Sequence, residues 1–154
     1  MTKEITRRGK KVAAVKHVHG LSSDKKGKDT WLFKRSGASS VAAISQNEFV
    51  LRSESRNTNE ALGLTLRFFE TAFGVDYVFV EGFHSFSKNR FKVIEVICAK
   101  NKDEALELLK IHKNSVCIVT KKNIQGLSTA NRLVFLLPKD KRELVSFISK
   151  SRMK

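Results

Sequence analysis

The densest polar stretch of this 154-residue chain is Lys16-His17-Val18-His19-Gly20, followed by Asp24-Lys25-Lys26-Gly27-Lys28-Asp29-Thr30. Ammonium and imidazole groups hold phosphate oxygens, and carboxylates hold an accompanying divalent cation, so this mixture suits a phosphorylated ligand. Spacing alone favours a solvated loop. A second candidate is Asp76-Tyr77-Val78-Phe79-Val80-Glu81-Gly82-Phe83. An acid at the carboxyl end of an apolar strand, backed by Gly, is placed as in nucleotide hydrolases that present a carboxylate to Mg²⁺ or to a phosphate-bound water. Taken alone, a strand ending in Glu-Gly is common. His17 and His19 face the same way if the strand continues through them, but no further Cys or His lies at zinc-ligand spacing.

Several enzyme templates fail. Gly20 to Asp29 approaches a phosphate loop, but six residues precede Gly27-Lys28 where four are required, and Asp29 stands where Ser or Thr would hold Mg²⁺. The chain has no Gly-x-Ser-x-Gly elbow. Cys98 and Cys117 lie in apolar strand-like runs and are predicted buried and inert. The eleven Phe are assigned mostly to core stripes, which leaves no evident base-stacking surface.

The elements that must position these groups follow from periodicity. Short apolar runs at Val12 to Val15, Val41 to Ile44, Tyr77 to Val80, Val116 to Val119 and Leu133 to Leu137 read as strands covered on both faces. They alternate with helical patterns, which predicts an α/β fold of three layers around a mainly parallel sheet. Asn57 with Glu60, Asn101 with Glu104 and Asp140 with Glu143 mark helix starts. Leu62, Leu66, Phe69 and Phe73 form an apolar stripe that Gly74 ends. Asp29 to Ser36 reads as a short helix, and Val41 to Ser45 with Phe49 to Ser53 as a β-hairpin. No linker or repeat is evident, so residues 1–154 are read as one domain.

Thirty Lys and Arg against fifteen Asp and Glu leave a net charge of +15. The excess sits at residues 1–35 (11 basic, 3 acidic) and 88–154 (16 basic, 6 acidic), and residues 36–87 are acidic. Such a field attracts nucleic acid, nucleotide phosphates or an anionic cofactor without choosing among them. Two cysteines are too few for a disulfide framework. No run of 18 or more apolar residues occurs, and the charged start leads into an apolar run too short for a signal peptide, so no membrane association and a cytoplasmic location are expected.

Taken in order, Lys16-His17-Val18-His19, Asp24 to Thr30, Ser36-Gly37-Ala38 and Val80-Glu81-Gly82-Phe83 resemble the molybdopterin-guanine dinucleotide biosynthesis protein B (MobB) family. The match runs from about Glu4 to about Glu95. The resemblance implies a P-loop NTPase-like fold, a homodimer, GTP and Mg²⁺ binding, and weak GTPase activity. It further implies molybdopterin as ligand and an accessory role beside the guanylyltransferase-type protein that joins GMP to molybdopterin. On this resemblance Lys16, His17, His19, Asp24, Lys28, Asp29 and Thr30 line the nucleotide or cofactor cleft. Glu81, followed by Gly82, takes the Walker B-like position as a Mg²⁺ ligand, the hairpin projects as a ribbon, and Thr120-Lys121-Lys122-Asn123 is a surface loop or a neighbour of guanine. Family members open with a strand and a Walker A loop, whereas this sequence starts inside the helix that follows. Residues 1–154 alone are therefore expected to lack useful GTPase activity, and two strands to lack a central neighbour. An upstream start is the first expectation and a degenerate paralogue the second. The alternative function is a basic nucleic-acid-binding or structural domain on a retired NTPase scaffold.

Overall fold

The computed structural model describes residues 1–20, 25–55, 57–83, 91–127 and 132–151. The elements are α1 (Thr2–Arg7), β1 (Val12–Lys16), α2 (Asp29–Arg35), β2 (Ser40–Ile44), β3 (Phe49–Ser53), α3 (Thr58–Phe73), β4 (Tyr77–Glu81), β5 (Val96–Ala99), α4 (Lys102–Ile111), β6 (Cys117–Thr120), β7 (Leu133–Leu136) and α5 (Lys141–Ser151). They belong to two compact units, Lys11–Phe86 and Met1–Lys10 with Ser87–Lys154. The α/β reading holds in both, and the parallel strands form a pair, β1-β4, and a triplet, β5-β6-β7.

In the Lys11–Phe86 unit, β1 and β4 pair in parallel from Val12↔Tyr77 to Lys16↔Glu81. Their start is pinned by Asp76, whose carboxylate accepts the Lys11 backbone N–H at 2.9 Å. The expectation that these strands are covered on both faces is corrected: Val12 and Val78 are half-buried and Val80 is exposed. A two-stranded sheet has one open edge per strand, and apolar composition marks a covered face without stating how much covers it. The hairpin is as expected, β2 and β3 pairing antiparallel from Ser40↔Ser53 to Ile44↔Phe49. The Ser45 backbone N–H and hydroxyl both donate to the Glu48 carbonyl and close the turn, at 2.8 and 3.0 Å.

Helix α3 starts and stops where its local chemistry dictates. Asn57 Oδ1 accepts the Glu60 N–H at 2.9 Å, and Gly74 adopts the left-handed φ of 57° that ends the helix. Leu62 and Leu66 are buried, but Phe73 is exposed and rests on Phe68 and on Phe49 of the hairpin, with ring centroids 5.3 and 6.2 Å apart. Phe33, Phe49, Phe68 and Phe73 are all exposed, which corrects the assignment of the phenylalanines to the core.

The other unit has helices on both faces of a sheet. Its triplet buries Ile97, Ala99 and Ile118 with Ala105 of α4 on one side, and Cys117, Val119 and Phe135 with Leu144 and Ile148 of α5 on the other. All four residues of β6 are buried, as a central parallel strand requires. Fully burying each large aliphatic side chain contributes roughly 1.5–3 kcal/mol. Helix α1 packs against α5 and buries Ile5. Asn101 caps α4 as expected, accepting from Glu104 N–H at 2.8 Å. Asp140 instead turns its carboxylate to the backbone N–H of Leu136, at 2.8 Å, tying the start of α5 to the end of β7. Cys117 is buried, and burial, followed by the nearby Cys98, pushes its thiol up to about 11. Cys98 is exposed, a correction that follows from its place on an edge strand. Among the described residues no helix is long and apolar enough to cross a membrane.

Candidate functional site

The parallel register of β1 and β4 sets Lys16 directly opposite Glu81 at the carboxyl ends of both strands. Lys16 Nζ lies 3.3 Å from Glu81 Oε1, with the side chains 66% and 74% exposed. An ion pair so exposed contributes little stability. Its importance is positional: the two polar segments singled out in the sequence meet at one strand end.

His17 extends this pairing. Its backbone N–H donates to the Glu81 carbonyl at 2.9 Å, and its Nδ1 lies 3.2 Å from the Gly82 carbonyl. A carbonyl only accepts, so Nδ1 carries the proton of that bond and Nε2 is the nitrogen left for a ligand. The imidazole is flanked by Phe83 and His19, with ring centroids 5.3 and 5.7 Å away. Gly82 is required at this point by geometry. Its φ is +87°, and a Cβ there would stand 3.1 Å from His17 Cβ.

A hollow of about 270 Å³ opens beside these groups, lined by His17, Gly82, Phe83, Asn57, Thr58 and Asn59. The last three begin α3, whose first turn offers backbone N–H groups without intrahelical partners and the positive end of the helix dipole. One of those N–H groups is capped by Asn57, and the 16-residue helix behind it gives the dipole its length. The hollow therefore joins the His17 ring to a helix N-terminus, and Lys16 and Glu81 are not among its lining residues; the helix end favours an anion, and His17 donates to one from Nε2 as an imidazolium. Sequence reasoning used Asn57 as a cap only and passed over Thr58 and Asn59; the available signal was a run of small polar residues opening an amphipathic helix.

The remaining candidates lie elsewhere. Lys28 is the residue preceding α2, and Asp29 and Thr30 are its first two residues; none of the three lines the hollow. Asp24 lies outside the described residues. Thr120 ends β6 in the other unit. For Mg²⁺ the fit is poor. Among the described residues no three His, Cys, Asp or Glu side chains gather, and Glu81 has an ammonium against one of its oxygens. Mg²⁺ is normally held by one or two carboxylates together with substrate phosphates and water.

Comparison with known proteins bears on the same residues. A family model described as molybdopterin guanine dinucleotide synthesis protein B matches residues 1–121, past the last motif at Glu81. A search of curated proteins finds no relative. Among solved structures, a MobB protein homolog from Bacillus stearothermophilus is 17% identical with a TM-score of 0.65, covering 99% of this chain and 86% of that one. Bacillus subtilis MobB is 19% identical with a TM-score of 0.65, over 97% of this chain and 85% of that one. A molybdopterin-guanine biosynthesis protein B is 21% identical with a TM-score of 0.59, over 98% and 86%. At such identities these structures establish the fold alone, the α/β fold shared with the MobB structures, and the family model reaches further. With 121 of its 154 residues matched, the chain belongs to the MobB family.

Proposed function

We propose that this chain serves molybdenum cofactor biosynthesis as a MobB-type accessory protein that binds phosphate groups of a guanine nucleotide or of molybdopterin in the hollow between His17 and the start of α3. Family membership supports the accessory role. The observation that carries the site is the meeting of His17, the residue after Lys16, with the N-terminal turn of α3 beside the carboxyl ends of β1 and β4. In open α/β sheets ligands bind at that end of the strands.

In this reading the N–H groups that open α3 and, in the imidazolium form of His17, its Nε2–H donate to phosphate oxygens, and Phe83 shields one side of the ring. Lys16 exchanges its partner Glu81 for the ligand. Any Mg²⁺ arrives with the phosphates, since Glu81 supplies only one carboxylate. The proposal assigns binding and positioning to these residues and no chemical step. It includes a second copy of the chain, joined through the exposed hairpin, and a guanylyltransferase-type partner that receives the bound cofactor.

Isothermal calorimetry with GTP, with and without Mg²⁺, and with molybdopterin tests the reading. Binding of either ligand that is weakened at least tenfold in a His17→Ala, Asn57→Ala double variant supports it. Silence toward both ligands, or binding unaffected by the substitutions, removes it.

A further inference from the structure

The charge of the chain is divided unequally between its two units. Met1–Lys10 with Ser87–Lys154 carries 20 Lys and Arg against 7 Asp and Glu, whereas Lys11–Phe86, which contains the hollow, carries 10 against 8. Nearly all of the net +15 therefore lies in the unit that the proposed phosphate hollow does not use.

Topology concentrates part of that charge on one edge. Strands β5, β6 and β7 are parallel, so their carboxyl ends share one side of the sheet. Lys100 follows β5, Lys102 opens α4, Lys121 and Lys122 follow β6, and Lys139 follows β7. All five are exposed, and among the described residues none is in an ion pair. Two nearby carboxylates are occupied by backbone: Glu104 accepts the Lys100 N–H at 2.7 Å and Asp140 the Leu136 N–H at 2.8 Å. A Cβ placed on Gly126 would stand 3.3 Å from Lys102 Nζ, so the Lys102 ammonium reaches across to the loop that follows β6.

We propose that this lysine edge binds a nucleic-acid strand through its phosphates. Five ammonium groups spread over three strands, roughly 10 Å at the usual inter-strand spacing, exceed what one small phosphate ester engages. Phosphate-backbone contact draws its affinity from counterion release by Lys and Arg and needs no apolar anchor. Protein interfaces rely instead on buried aromatic and Arg anchors and are depleted in Lys. The exposed apolar residues Val93, Ile111 and Leu133 precede β5, end α4 and begin β7, on the opposite edge, so among the described residues this edge shows no large exposed apolar side chain to insert into a bilayer.

Fluorescence anisotropy with the full chain and a labelled single-stranded oligonucleotide tests the proposal. Five contacts predict a slope of about −3.5 in log affinity against log salt, or about a hundredfold loss between ~50 and ~200 mM. The double variant Lys121→Ala, Lys122→Ala should reduce the slope to about −2, leaving about a twentyfold loss over the same range. A control pair on α1, Lys3→Ala with Arg7→Ala, should leave the slope unchanged, and circular dichroism melts confirm folding of each variant. The proposal is overturned by absent binding at low salt, by an equal loss of slope in the α1 control, or by capture on phosphatidylserine vesicles in place of the oligonucleotide.

Discussion

Gly82→Ala places a side chain where the backbone and His17 both resist it. At φ +87° a non-glycine residue costs about 1–3 kcal/mol. The added methyl group would also meet His17 Cβ at 3.1 Å, closer than ordinary van der Waals contact. Gly74 supplies the reference, because it too is left-handed, at φ 57°, yet nothing lies within 4 Å of its missing Cβ. Urea unfolding should therefore show Gly74→Ala losing about 1 kcal/mol and Gly82→Ala about 2–3 kcal/mol, the difference reporting the contact with His17. The crowding atom is the β-carbon of His17, so His17→Ala leaves the clash in place and only His17→Gly relieves it. Partial rescue of Gly82→Ala by His17→Gly, and none by His17→Ala, is the expected pattern. Equal losses at Gly74 and Gly82, or equal rescue by both His17 variants, would refute the account of how Gly82 lets the strand ends close on the hollow.

Further outcomes concern the same site and the thiols. Lys16→Ala should change stability by less than about 1 kcal/mol, because the pair with Glu81 is exposed, yet weaken phosphate binding in calorimetry. Glu81→Gln should preserve or tighten that binding by freeing Lys16; loss of a Mg²⁺-dependent component instead would assign Glu81 to the metal. Asn57→Ala removes the α3 cap and should lower stability by about 1 kcal/mol in urea titration as well as weakening the ligand. A thiol-reactive dye at pH 8 should modify Cys98 rapidly and Cys117 only on unfolding. With its pKa raised to about 11, Cys117 holds only about one thousandth of its population as thiolate at that pH, and the fraction rises with pH.

Local signals were the ones legible in the sequence. The Asn57 and Asn101 caps involve partners three residues away, and the strands around Val12, Tyr77 and Leu133 stand out as apolar runs; all of these form as read. What escaped depends on partners distant in the chain. Periodicity identified the stripe through Phe73 but not whether anything covers it, so exposed aromatics were assigned to a core. Cys98 and Cys117 sit in similar runs, and only their places on an edge and a central strand separate them. Asp140 spends its carboxylate on β7 instead of on its own helix, a competition invisible without the fold. The division of the parallel strands into a pair and a triplet is likewise a property of pairing, not of any one run.

The hairpin leaves Ile44 83% exposed and Val50 and Leu51 about half exposed, on two strands that have no third neighbour among the described residues. An isolated pair of strands is marginal in water. If copies associate through this ribbon, mass action links folding to protein concentration, and the melting temperature climbs on going from dilute to concentrated solution. Dilution would then release first the ribbon, since no residue of β2 or β3 is buried, while the α4- and α5-covered triplet keeps its midpoint.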